Sequence, residues 1–91
     1  MAAPLLVAHY RGQAARDRAA LASGRGSIGR RVKLARNVVR QEVCADSLAG
    51  RGVLPIVSWE RVVDGARSLA GEGVVDAGVL AGVERMAGVS G

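Results

Sequence analysis

Residues 24–43 read Gly24-Arg25-Gly26-Ser27-Ile28-Gly29-Arg30-Arg31-Val32-Lys33-Leu34-Ala35-Arg36-Asn37-Val38-Val39-Arg40-Gln41-Glu42-Val43. Gly24 to Gly26 is the clearest break in the chain. Ser27 then suits an N-cap, because a short hydroxyl can accept from the unpaired N–H groups of a first helical turn. At about 100° per residue, Ile28, Val32, Ala35, Val39 and Val43 fall on one narrow arc, while Arg30, Lys33, Arg36 and Arg40 lie on another side. The spacing predicts a helix from Ile28 with a buried aliphatic stripe and a solvated cationic one. Gly50 is placed to stop it near residue 49.

Upstream, Pro4 suits a first helical position and Gly24 the residue just past an end, which predicts a helix from about Pro4 to Ser23. Its apolar stripe (Leu6, Tyr10, Ala14 and Leu21) is weak, and Pro4 to Tyr10 reads equally as a short strand. Downstream, Val53 to Val57 contains Pro55 and reads as an extended connector or edge strand. Ser58 caps a third helix, Val57 and Val62 sit at the two positions of a hydrophobic staple, and Trp59, Val62, Val63, Ala66, Leu69 and Ala70 follow the helical apolar spacing. Trp59 is expected to be the largest anchor of the core. Gly71 to Gly73 breaks the chain again, after which Val75, Val79, Val83 and Met86 mark a fourth segment, with Gly78 and Gly82 beside the stripe where they would permit a close helix crossing. The end from Gly88 is expected to fray. The fold class is all-α: one domain over residues 1–91, built as a small bundle of three to four short helices.

Composition bounds that domain. Ninety-one residues support one modest core. There is no Phe, and Tyr10 and Trp59 are the only Tyr and Trp, so the core must be built from Ala, Val and Leu. Such a thin core borrows stability from a partner readily. Arg outnumbers Lys twelve to one and Thr is absent, which fits a GC-rich genome, bacterial or viral. Cys44 is the single cysteine and His9 the single histidine, so neither an internal disulfide nor a protein-only zinc site is expected. The apolar run Leu5 to Ala8 has no basic residue before it and is short for a signal segment, and no stretch approaches a membrane span. The chain reads as soluble and cytoplasmic.

Charge is segregated. Residues 1–52 carry ten Lys and Arg against three acids, about +7, whereas residues 53–91 carry three against five, about −2. That asymmetry suggests a face for an acidic partner, with nucleic acid the commonest and an acidic protein surface the next. No nucleophile–base pair, paired carboxylates or phosphate-cradling loop of Walker spacing stands out, so no catalytic residue and no cofactor is assigned. His9 and Cys44 read as passive side chains, and Glu60, Asp64, Glu72, Asp76 and Glu84 as solvated charges.

The stretch Arg18 to Arg36, about a fifth of the chain, partly resembles a helix-turn-helix unit: Ala22 stands where the first helix needs a small residue, Gly26 lies in the turn and Val32 faces inward. Arg25 and Ser27 depart from the pattern, since those turn positions usually carry apolar residues, and Ala35 is small where a larger aliphatic is common. The resemblance implies that the helix from Ser27 enters the major groove near its N-terminus, with Ser27, Arg30 and Arg31 near the bases. The expected function is non-enzymatic binding of DNA or RNA through Arg25, Ser27, Arg30, Arg31, Lys33, Arg36 and Arg40, with Arg11, Arg16 and Arg18 widening the surface. The alternative is an assembly or adaptor subunit, of a virion or regulatory complex, that acts through protein contacts, a homo-oligomer among them.

Overall fold

The computed structural model describes residues 3–88. It contains four helices, α1 Ala3–Ala22, α2 Ile28–Arg51, α3 Trp59–Gly71 and α4 Ala77–Met86, and no strand among the described residues. The all-helical expectation holds, although α1 and α2 are long rather than short. The strand reading of Pro4 to Tyr10 gives way to helix, and Pro4 sits in the first turn, where its missing N–H costs nothing. Residues 89–91, expected to fray, lie outside the described residues.

Each boundary has a local cause. The N–H of Gly24 bonds to the Leu21 carbonyl, and Gly24 and Gly26 take φ of 71° and 93°, which only glycine adopts without strain. Ser27, Ser58 and Asp76 cap α2, α3 and α4, their side chains accepting from the N–H groups of Arg30, Arg61 and Val79. The expected stop at Gly50 is wrong by two residues. Gly50 stays helical, and Gly52, with φ 72° and its N–H on the Leu48 carbonyl, ends α2 in the left-handed conformation.

α2 is the hub. α1 packs on it alone among the helices, while α3 and α4 pack on α2 and on each other. Ion pairs and hydrogen bonds link Gln13 to Gln41, Arg18 to Glu42 and Arg11 to Asp46, so α1 and α2 run antiparallel along their length. The seam follows an alternating three–four spacing, Val7, Tyr10, Ala14, Asp17 and Leu21 on α1 and Leu34, Val38, Gln41, Ala45 and Leu48 on α2, every one buried or half-buried. Val7, not Leu6, fills the first position. Midway, the Gln41 amide donates to Gln13 Oε1 (3.2 Å) and Asp17 Oδ2 (3.3 Å), a polar layer that fixes the register.

The opposite flank of α2 carries the main core: Val32, Ala35 and Val39 meet Val62, Val63, Ala66 and Leu69 of α3 and Val79 and Val83 of α4, with Leu21 and Val75 closing the end near the turns. Each Val or Leu buried here contributes roughly 1.5–3 kcal/mol. Two glycines let the helices close on α2. A β-carbon at Gly65 would stand 2.5 Å from Val39 Cγ1, and one at Gly82 would stand 2.5 Å from Val32 Cγ2. The close crossing expected at Gly78 and Gly82 is thus realised at Gly82, with Gly78 at ordinary distance from Ile28. Trp59 corrects the other expectation. As the first residue of α3 it lies outside the core, 36% exposed, and the core is wholly aliphatic.

Candidate nucleic-acid interface

The seven candidate residues share α2 and its leading turn, but the fold gives them different employments. Arg25 projects from the turn, exposed, its N–H on Ser23 Oγ. The hydroxyl of Ser27 is engaged as acceptor in the cap. Arg30 and Lys33 are exposed and make no ion pair among the described residues, one on the side of α2 away from Val32 and Val39 and the other a turn further along. These three cations form the open part of the candidate surface.

Arg31 belongs elsewhere. About 100° round the helix from Arg30, it turns toward α4 and bonds Asp76 Oδ2 through Nη1 at 2.9 Å, its side chain only 20% exposed. Asp76 at the same time accepts from the N–H of Val79 at 2.9 Å. That N–H first, and the Arg31 guanidinium second, hold the Asp76 carboxyl below the usual range. Arg31 is therefore a clamp between α2 and the start of α4 and is withdrawn from the candidate set.

Arg36 and Arg40, expected to be solvated, are half-buried. The Arg36 Nε is buried without a partner among the described residues. Arg40 places Cζ 5.6 Å from the centre of the Trp59 ring, within cation–π range. The chain brings them together because the connector 52–58 doubles back along α2: Ser47 Oγ bonds the carbonyl of Val53 at 2.7 Å near one end, and Trp59 reaches Arg40 at the other. Val53 and Leu54 are more than half exposed on this connector, and Ile56 is 100% exposed.

Two features escaped the sequence. Arg85 of α4 joins Lys33 in lining a hollow of about 550 Å³ with Ile28, Val32, Gly82 and Met86. On the other flank, Arg18 bonds both Glu42 and Glu72 at 2.8 Å beside a cleft of about 350 Å³ between α2 and α3. The Glu42 contact first, and the Glu72 contact second, raise the Arg18 pKa. Arg11 likewise pairs with Asp46 at 3.6 Å, so of the three arginines expected to widen the surface only Arg16 makes no ion pair among the described residues. The acids of the second half are not simply solvated: Asp64 and Glu84 meet Arg67, Glu72 meets Arg18 and Asp76 meets Arg31. Part of the charge asymmetry is thus complementarity between the halves of one molecule. Neither half's charges could announce this, since the partners are 45 and 54 residues apart.

The helix-turn-helix resemblance does not extend to three dimensions. Such a unit crosses its helices at about 90–120°, whereas α1 and α2 here are antiparallel partners from the turn out to Arg11 and Asp46. His9 is exposed, its ring meeting Tyr10 edge-on at 5.7 Å, and Cys44 is half-buried. No helix among the described residues is long and apolar enough to cross a membrane. No protein-family model, curated protein or solved structure matches this chain.

Proposed function

We propose that this chain is a non-enzymatic nucleic-acid-binding protein that meets phosphates with the outer face of α2 and its leading turn. One observation supports this reading above the others. Six of the eight acids are engaged in ion pairs, while nine of the thirteen Lys and Arg side chains have none among the described residues. The surplus includes Arg25, Arg30 and Lys33 on one continuous stretch, and Arg30 to Arg40 spans about 15 Å at 1.5 Å per residue. Cations in such a row release counterions when they meet phosphates, which makes the affinity fall steeply with salt.

The test is titration of the protein into labelled DNA and RNA at two salt concentrations. Binding is expected at low salt. The variant Arg25→Ala/Arg30→Ala/Lys33→Ala touches neither the core nor an ion pair, and it should weaken binding and reduce the salt slope by about one per lost phosphate contact. Absence of binding to every nucleic acid at low salt would overturn the reading.

A second reading, assembly with protein partners, is favoured by the connector, where Val53, Leu54 and the wholly exposed Ile56 present apolar side chains to solvent. On that reading the protein self-associates with concentration and Ile56→Asp abolishes the association.

A further inference from the structure

We propose that the strand this surface takes is single-stranded, with a base stacked on the exposed indole of Trp59. The inference rests on the nucleic-acid reading and adds a strand preference and a residue to it. Trp59 is the only tryptophan of the chain, and as the first residue of α3 it lies outside the aliphatic core, 36% exposed, at the end of α2's cationic row. Arg40 connects the two: it shares the outer arc of α2 with Lys33 and lays its guanidinium on the indole. Together they offer charge for phosphates and, beside it, an aromatic surface held in place by a cation.

A duplex can use only the first of these, because its bases are stacked on one another inside. An unpaired strand can use both, since every base has a π-face, and stacking on an aromatic side chain beside a basic track is the general means of holding single strands. The shape of the molecule points the same way. A helix reads a duplex by entering the major groove, which is about 12 Å wide. Here α2 is flanked by α1 along one side and by α3 and α4 along the other, Gly82 of α4 lying close against Val32 in the N-terminal turns. The N-terminal part of α2 therefore does not protrude alone. Its outer face lies between neighbouring helices, over which a strand can lie but which cannot enter the groove of a duplex.

Being the sole tryptophan, Trp59 reports on its own stacking. The protein is titrated at low salt with a short oligo(dT) and with a duplex of the same length, following tryptophan emission and, in parallel, anisotropy of the labelled nucleic acid. The expected result is tighter binding of oligo(dT) with quenching of the emission. Trp59→Ala should then lose about 5- to 150-fold in affinity for oligo(dT), Trp59→Phe should keep most of it, and neither should change the duplex affinity. Circular dichroism establishes that the variants are folded, and the emission result needs no variant. Equal binding of both nucleic acids with unchanged emission would overturn the stacking proposal and leave the nucleic-acid function standing. No binding of either would overturn both.

Discussion

Val39 of α2 and Gly65 of α3 are in contact so close that a single methyl group at position 65 would fall 2.5 Å from the valine's Cγ1 and 2.6 Å from its Cγ2. Gly65→Ala must therefore push α3 off α2 or force Val39 from its rotamer, at a cost of about 1–3 kcal/mol. In a domain of this size each kcal/mol lowers Tm by roughly 4–8 °C. Val39→Ala is destabilising alone through lost burial, but in combination it makes room for the new methyl group. The double variant should be less unstable than the two single losses predict, with a coupling of about 0.5–3 kcal/mol. Additive losses in thermal unfolding would refute this packing.

Gly12 is the opposite case. It lies within α1, exposed, with nothing within 4 Å of the position a β-carbon would take and no positive φ. Gly12→Ala removes backbone freedom from the unfolded chain without creating a clash, and should stabilise the protein by about 0.5–1 kcal/mol. Urea unfolding followed by circular dichroism measures it, and a loss of stability would show that α1 has a neighbour along this face.

Trp59→Ala should cost well under the roughly 3–5 kcal/mol that deletion of a core aromatic costs, because the ring is 36% exposed and its contact with Arg40 is a surface cation–π pair. Leu69→Ala, which empties a fully packed position, should cost about 2–5 kcal/mol in the same urea experiment. Equal losses from the two substitutions would place the indole back in the core.

Acid should weaken the start of α4. The Val79 N–H and Arg31 lower the pKa of Asp76 in the folded state from its ordinary value of 3.8. A carboxyl whose pKa is depressed on folding gives stability that is complete above the unfolded value and is lost as pH falls through the folded one. Wild type should thus melt higher than Asp76→Asn at neutral pH, Asn keeping a capping oxygen but not the charge, and the gap should begin to shrink below about pH 4 and vanish once pH has fallen through the lowered pKa of the folded state. A gap in Tm that is the same at both pH values would mean that the charge on Asp76 does not matter.

What could be read from the sequence is what local chemistry determines. Ser27 and Ser58 show as caps because capping needs only a hydroxyl three residues before an N–H, and the Val57–Val62 staple and the Val62-to-Leu69 stripe likewise follow from spacing along one helix. Trp59 misled because size suggests an anchor. It is the first residue of its helix, where side chains lean back toward the N-terminus, and there it meets Arg40. Gly50 misled because two glycines two residues apart can each stop a helix, and only the backbone shows that Gly52 takes the left-handed turn. The candidate surface was half legible: the period of α2 separates Arg30 and Lys33 from the core, but the withdrawal of Arg31 by Asp76 and the covering of Arg40 by Trp59 depend on where α3 and α4 come to rest. The weak stripe of α1 has a physical reason too, since its seam with α2 includes Asp17 and is completed by Gln13 and Arg18, polar residues that a search for apolar periodicity passes over.

The connector between α2 and α3 makes the molecule divisible. Leu54 and Ile56 are open to a protease, and among the described residues no backbone hydrogen bond to another element holds residues 54–57. A single cut there would yield a hairpin of about +7 and a helix pair of about −2, whose mating surfaces are already complementary: Arg18 opposite Glu72, Arg31 opposite Asp76, Val39 against Gly65 and Val32 against Gly82. The two pieces should behave as the halves of a split protein, and the affinity with which they recombine from separate polypeptides would measure directly how much of the fold's stability lies between its basic and acidic parts.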